Sequence, residues 1–249
     1  MKFRIVILAA GKGTRMKSDL PKVLTPIGRK PILAHLMASV KASGLDQKPV
    51  VVIGHERHRI CEAFNGPCDY AVQEKQLGTG HAVVASKEVV GLSDAVIVLY
   101  GDHPFISSGT LKALAKRHEE RGNTVTMMTA TVPSFDGWHT AFQYWGRILR
   151  GQNGHIVGIR EFKDATDDER AIREVNPSLF CFNAAWLWEN LPKLGTKNVQ
   201  GEYYLTDLVA MAVSQGNKLS SISVVPEEVI GINTPEEREI AEQLLAKRG

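Results

Sequence analysis

The chain has 249 residues, 43% hydrophobic and 23% charged, a balance that suits a globular protein with a full core and excludes a disordered one. Its 30 basic and 27 acidic side chains leave a net charge of +3, too small an excess for a nucleic-acid or polyanion scaffold. Phosphate chemistry, if any, has to come from a local site.

In chain order, short β-branched runs alternate with helical patterns, the signature of a parallel sheet covered on both faces and so of the α/β class. Strands are predicted at Phe3 to Ala9, Pro49 to Ile53, Asp69 to Val72 and Ala95 to Leu99, with helices at Pro31 to Ala42, His55 to Phe64 and Gly80 to Val89 between them. Ser107 to Arg121 reads as a helix and Thr124 to Val132 as a strand. The pattern then loosens. Gly146 to Arg150 and Ile156 to Phe162 form a β-pair around the turn sequence Gln152-Asn153-Gly154, so the second half is expected to add antiparallel strands to the sheet. A strand at Leu179 to Phe182, helices near Ala184 to Leu191 and Tyr204 to Ser214, a strand at Leu219 to Val225 and a helix from Pro235 complete the prediction.

The apolar run after Lys2 and Arg4 ends at Ala10, short of the roughly 7 to 15 residues of an export signal, and no stretch approaches the roughly 18 needed to cross a bilayer. A cytoplasmic protein without membrane partners is expected. Cys61, Cys68 and Cys181 form neither an even set nor a C-x-x-C pair, which suits a reducing compartment and offers no zinc site. His55 and His58 share a helix face but lack a third ligand. Trp186 and Trp188 read as packing residues.

The first strand runs into Leu8-Ala9-Ala10-Gly11-Lys12-Gly13-Thr14-Arg15-Met16, a glycine-rich turn at the carboxyl end of the strand, where open α/β sheets bind ligands. Glycines let backbone N–H groups approach phosphate oxygens, and Lys12 and Arg15 add charge. A dinucleotide fingerprint would need glycine at Met16, and a Walker A loop would need Gly-Lys-Ser/Thr at Met16-Lys17-Ser18, so neither motif fits. Asp102 directly follows a buried-looking strand and emerges at the same sheet edge, a hard oxygen suited to Mg²⁺. Helix capping is the plainer role for Asp102, and likewise for Asn233 before Thr234-Pro235.

The glycine-rich turn with Pro21-Lys22-Val23-Leu24 closely resembles the signature of sugar-1-phosphate nucleotidyltransferases. The likeness continues in the family's order through Gln73-x-x-Gln76-Leu77-Gly78-Thr79-Gly80-His81-Ala82, Tyr100-Gly101-Asp102, Gly146-Arg147-Ile148, Glu161-x-Lys163-Asp164-Ala165-Thr166, Gly201 to Asp207 and Gly231-Ile232-Asn233. As a set these resemble the uridylyltransferase domain of the bacterial bifunctional N-acetylglucosamine-1-phosphate uridylyltransferases and glucosamine-1-phosphate acetyltransferases. The resemblance implies a Rossmann-like three-layer α/β/α nucleotidyltransferase fold with a mixed, mostly parallel sheet. Residues 1–249 would form one domain, with 1–132 its nucleotide-binding half, 133–233 its sugar-phosphate-binding half and 234–249 a C-terminal helix.

The reaction implied is attack of the N-acetylglucosamine 1-phosphate oxygen on the α-phosphorus of UTP, giving UDP-N-acetylglucosamine and pyrophosphate with Mg²⁺ as cofactor. Arg15 and Lys22 would be catalytic, supplying charge to the transition state. Leu8, Ala9, Ala10, Gly11, Gly13, Gln73, Gln76, Gly78, Thr79, Tyr100 and Gly101 would bind the nucleotide, Gln73 reading the uracil edge. Gly146, Glu161, Asn176, Tyr204 and Thr206 would hold the sugar, and Asp102 and Asn233 the metal.

The chain departs from the family in three places. It stops before the hexapeptide-repeat acetyltransferase half, so acetyl transfer is not expected of it, and the oligomeric state is left open. Asn176-Pro177-Ser178 stands where Asn-Thr-Gly is usual, which puts the Asn176 contact in question. Pro133 to Trp145 is longer and more aromatic than the family's loop, and is expected to reshape the sugar pocket or to act as a lid. Uridylyl transfer to another sugar 1-phosphate is the nearest alternative. A glycosyltransferase would need an Asp-x-Asp motif where Gly101-Asp102-His103-Pro104 stands, and a non-catalytic nucleotide-sugar sensor would not need Arg15, Lys22, Asp102 and Asn233 together.

Overall fold

The computed structural model describes residues 1–54, 56–66 and 68–247. Twelve strands are formed by these residues, in chain order β1 (Phe3–Leu8), β2 (Pro26–Ile27), β3 (Lys30–Pro31), β4 (Val50–Ile53), β5 (Asp69–Val72), β6 (Ala95–Tyr100), β7 (Val125–Thr131), β8 (Gly146–Arg150), β9 (Ile156–Arg160), β10 (Glu174–Asn176), β11 (Phe180–Asn183) and β12 (Leu219–Val224). The helices are α1 (Ile32–Ser43), α2 (Arg57–Ala63), α3 (Thr79–Ala85), α4 (Lys87–Val90), α5 (Ser108–Arg121), α6 (Asp167–Arg170), α7 (Ala184–Asn190), α8 (Asp207–Ser214), α9 (Pro226–Val229) and α10 (Pro235–Ala246).

Strands β5, β4, β1 and β6 lie side by side and parallel. The chain moves outward from β1 to β4 and β5, then returns past β1 to lay down β6 on its other side. That reversal makes the carboxyl end of β1 the topological switch point, the crevice in which open α/β sheets place ligands. Alternation along the strands builds the layers. Ile5, Ile7, Ile97 and Leu99 face α1 and α5 through Leu33, Leu36, Leu111 and Leu114. Val6, Val52, Val96 and Val98 face the opposite layer with Val83, Leu187 and Leu208. Each such side chain, once buried, stabilises the fold by roughly 1.5–3 kcal/mol relative to exposure.

The expected antiparallel additions are present. Strand β11 runs antiparallel to both β6 and β7, β10 antiparallel to β7 and β8, while β12 runs parallel to β7. Strands β10 and β11 are successive pieces of one line interrupted at Pro177-Ser178, where Ser178 takes a left-handed φ of 60°. Proline has no N–H for a ladder, so the line bends there and the sheet forks, with β6 beside one piece and β8 beside the other. The result is the mixed, mostly parallel Rossmann-like α/β sheet that the sequence led us to expect.

Differences lie at the edges of elements. The helix expected from Gly80 to Val89 is two helices, α3 and α4, parted at buried Ser86, whose hydroxyl donates to the Val83 carbonyl at 2.7 Å. Of the expected helix from His55, α2 begins at Arg57, and His55 lies outside the described residues. Trp186 and Trp188 pack against the core, as expected.

The aromatic segment 133–145 is not a free lid. Its Gly137–Phe142 turn of 3₁₀ helix buries Phe142 completely, with Trp138 and Trp145 packed beside it. Fully buried Arg147 clamps the segment, donating to the carbonyls of Gln143 (2.8 Å), Trp145 and, on α6, Arg170 (3.1 Å), with its guanidinium 4.5 Å from the Phe135 ring. A buried cation needs these partners, so their geometry fixes the loop.

Helix α5 starts at the Ser107 cap, whose hydroxyl oxygen accepts from the Thr110 N–H at 3.1 Å, and packs His118 wholly inside against Thr126 of β7. Burial lowers the His118 pKa to about 4. Between its ordinary value of 6.5 and about 4, the unfolded chain takes up a proton that the folded chain refuses. Stability should therefore fall as pH drops through that window, by roughly 3 kcal/mol at its lower end, and level off below it. Thermal melts of wild type and His118→Gln across pH 7.5 to 4 check this: the variant should lose much of the slope.

Candidate active site

The first strand ends at Leu8, and Ala9 extends it with an N–H bond to the Val52 carbonyl at 2.8 Å. Gly11 and Lys12 then stand in solvent, and Gly13 turns the chain with φ 62°. A Cβ on Gly13 would lie 2.7 Å from the Lys22 Cβ, so this glycine is what allows Lys22 to close on the loop. Met16 and Val23 are buried and anchor the two short 3₁₀ turns on which Arg15 and Lys22 ride.

Lys22, Asp102 and Asn233 meet from three distant parts of the chain. The Lys22 Nζ donates to Asp102 Oδ2 at 2.5 Å and to Asn233 Oδ1 at 2.8 Å. Asp102 Oδ1 is 2.8 Å from His103 Nδ1, and its carbonyl accepts from the Ile232 N–H at 3.0 Å, tying the Gly231–Asn233 turn to the end of β6. Burial pushes the Asp102 carboxyl up, yet the Lys22 ammonium and the His103 ring outweigh it and hold its pKa far below the carboxylate range. The capping roles weighed for these residues fall elsewhere. Ser107 caps α5, and Thr234 caps α10 in a capping box with Glu237, whose carboxylate also accepts from the Asn233 N–H at 2.5 Å. That bond fixes the Asn233 backbone and leaves its side chain for the site.

A cavity of about 370 Å³ opens over this group at the switch point. Leu8, Ala9, Ala10 and Gly11 form one wall, and Gln73, Gln76, Gly78 and Thr79 the other, with Lys12, Lys22, Tyr100, Asp102 and Asn233 between. Gly13 and Gly101 do not line it. Gly101 sits where a Cβ would come 3.1 Å from Val23 and 3.2 Å from the Leu8 carbonyl, so it secures the contact between β6 and the loop. Gly78 has φ 111°, and a Cβ there would lie 2.7 Å from the Tyr203 N and O atoms. The Gln73 amide is buried, and its Nε2 is spent on the Gly78 carbonyl and His81 Nδ1, each at 3.1 Å.

A second cavity, of about 610 Å³, holds Arg15, Glu161 and Tyr204 together with Thr14, Tyr144, Phe162, Lys163 and Gln200. Glu202 lines both cavities. Glu161 Oε1 accepts from the Thr206 hydroxyl at 2.9 Å, and burial pushes its carboxyl above the usual value. Thr206 therefore holds Glu161 rather than the cavity wall. Gly146 lies beneath Glu161, where a Cβ would meet the Ile159 side chain at 3.0 Å. Asn176 is turned inward: its Oδ1 accepts from the Ser178 N–H at 2.9 Å and its Nδ2 donates to the Ser178 hydroxyl at 3.1 Å, bracing the bend at Pro177. It lines neither of the two cavities. Glu202, Tyr144 and His103 were not singled out as site residues in the sequence. Glu202 stood within a quoted motif, His103 directly follows Asp102 but is passed over because the reaction needs no general base, and Tyr144 belongs to the aromatic segment expected to reshape the sugar pocket.

Residues 5–187 match the MobA-like NTP transferase domain. The chain belongs to that family. It is a nucleotidyltransferase. It is 43% identical to the bifunctional protein GlmU of Geobacter sulfurreducens over 232 residues, which are 92% of this chain and 47% of the relative. To the bifunctional protein GlmU of Syntrophomonas wolfei it is 39% identical over 250 residues, 100% of this chain and 54% of the relative. The chain thus spans about half the length of these relatives. In fold it is similar to a solved CMP:2-keto-3-deoxy-manno-octonic acid synthetase complexed with CTP, with a TM-score of 0.72 at 19% identity and full coverage of both chains. Among the described residues no helix is long and apolar enough to cross a membrane.

Proposed function

We propose that the chain transfers UMP from UTP to a sugar 1-phosphate, N-acetylglucosamine 1-phosphate foremost, releasing pyrophosphate. The observation that carries this reading is the closure of Lys22 on Asp102 and Asn233 at the glycine-rich loop. The choice of UTP and N-acetylglucosamine 1-phosphate rests on the motif resemblance in the sequence, and similarity to bifunctional GlmU proteins at about 40% identity over nearly all of this chain is in keeping with it.

The attacking phosphate is already ionised, so the chemistry calls for no general base and no covalent nucleophile. An oxygen of the sugar phosphate bonds to the α-phosphorus while the bond to the pyrophosphate oxygen breaks, and the leaving pair of electrons stays on pyrophosphate. What the chain has to supply is orientation and positive charge between two anions. Gly11 leaves the loop backbone open to phosphate oxygens, Lys12 and Lys22 bring charge from the loop side, and Arg15 stands in the second cavity beside Glu161. Glu161, desolvated and braced by Thr206, accepts from sugar hydroxyls, and Tyr204 walls the same space.

The residues fit a divalent cation. An ammonium already stands between Asp102 Oδ2 and Asn233 Oδ1, and two hard protein oxygens, completed by phosphates and water, are what Mg²⁺ takes. Bound there, Mg²⁺ would neutralise charge on the α-phosphate. The test is pyrophosphate release from UTP across N-acetylglucosamine, glucosamine, glucose and N-acetylmuramic acid 1-phosphates. Selectivity for the first is the expected result; turnover with another sugar alone would move the specificity, and no turnover with any would overturn the reading.

A further inference from the structure

The Asp102 carboxylate is gripped unequally. On one side, His103 is buried and its Nδ1 stands 2.8 Å from Oδ1. An ionised carboxylate only accepts, so Nδ1 carries the proton of that bond. The His103 ring cannot turn away. Its other nitrogen, Nε2, is buried with no hydrogen-bond partner among the described residues, close under Gly231, where a Cβ would lie 3.3 Å from it. Trp145, on the clamped aromatic segment, packs edge-on against the ring at 5.7 Å, and Tyr100 at 6.1 Å. On the other side, Oδ2 is held by a flexible chain: the Lys22 ammonium, which also holds Asn233 Oδ1 and lies at the wall of the phosphate cavity. One oxygen is fixed by packing, and the other by a group that four single bonds can carry away.

We propose that Asp102 works as a divided carboxylate, in which His103 is the positioning residue that fixes Oδ1, and Oδ2 with Asn233 Oδ1 is an exchange position that Lys22 occupies until a divalent cation takes it. The ammonium and the cation cannot share these two oxygens at hydrogen-bond and coordination distance. When the cation binds, Lys22 is released into the cavity where the phosphates lie, so its charge becomes available only once the metal site is filled. Before that, it keeps two oxygens from distant parts of the chain, Asp102 after β6 and Asn233 before α10, in register. This inference rests on the proposed reading of Asp102 and Asn233 as cation ligands.

The test is Mn²⁺ binding, followed by water-proton relaxation and by electron paramagnetic resonance, with the full chain and Mn²⁺ alone, after circular dichroism has shown each variant folded. Lys22→Met frees the two oxygens and should bind Mn²⁺ about tenfold more tightly than wild type, although it is the catalytic lysine that is lost. Lys12→Met is the control, because Lys12 lines the same cavity without a hydrogen bond to either ligand and alters only the surrounding field. His103→Leu should weaken Mn²⁺ about 10- to 100-fold, as loss of a partner behind a metal ligand does, and His103→Asn, whose amide can donate to Oδ1 from nearly the same place, should recover most of it. Equal or weaker binding by Lys22→Met, or an equal gain in Lys12→Met, overturns the exchange. Unchanged binding by His103→Leu overturns the positioning role. If neither wild type nor Lys22→Met takes up Mn²⁺, the cation-site reading itself fails.

Discussion

Replacing Lys22 by alanine is expected to lower kcat by about 10²- to 10³-fold, the usual cost of removing one preorganised charge or donor from a transition state. The UTP KM should change much less, because Lys12 and the open backbone at Gly11 still offer the triphosphate its ground-state contacts. The expectation follows from where the lysine is held. Its side chain is only 16% exposed, it rides on a buried Val23 anchor, and Gly13 is shaped to admit it. A cation placed that closely acts on charge as it develops between two phosphates, whereas a solvated lysine would be screened. Steady-state pyrophosphate release at saturating N-acetylglucosamine 1-phosphate separates the two parameters. A raised KM with kcat intact would mean that Lys22 binds ground state and transition state alike, and would remove it from the transition state.

Much of this site was legible in the sequence because its parts are local and carry their own punctuation. The glycine-rich turn after a strand and Asp102 after another strand each announce a backbone position at a known edge of the sheet, while Asn233, which by itself reads as a helix start, is joined to them only by the family resemblance. Periodicity likewise gave the parallel core and the antiparallel hairpin, because both record burial of alternate residues. What was hidden is what depends on distant partners. For Asn176, Pro177 already puts the sugar contact in question, but only the structure shows where the amide goes instead, bracing a bend at Ser178. Segment 133–145 is expected from the sequence to reshape the sugar pocket or to act as a lid; Tyr144 does line the second cavity, and the segment is held by a buried arginine whose carbonyl partners lie in it and on α6. Nor could spacing show that β12, from late in the chain, lies along Val125 to Ala130 of β7. Beside Asp102 the sequence shows His103, the neighbour of one oxygen, but not Lys22, which comes to the other from 80 residues away.

Asp102→Asn keeps the shape of the site and removes its charge, and its expected signature differs from that of the lysine variant. At fixed Mg²⁺, kcat/KM should fall about 10³-fold, several kcal/mol of transition-state stabilisation being what a bound metal commonly supplies. Raising Mg²⁺ should recover part of that loss, because the variant still offers Asn233 and the nucleotide's own phosphates as ligands. The same titration should recover nothing for Lys22→Ala, whose metal ligands are intact. A cost in stability accompanies the change. Asp102 accepts from Lys22 at one oxygen and from His103 at the other, and an asparagine can accept at one of these only, so its amide must face a donor in a buried place. That mismatch is worth roughly 1–3 kcal/mol and should lower the melting temperature by several degrees, leaving the protein folded at assay temperature. Kinetics at a series of Mg²⁺ concentrations, run beside thermal melts, therefore tells a lost cation ligand from a loosened fold: the first moves the Mg²⁺ midpoint upward, and the second leaves the midpoint in place while activity falls uniformly.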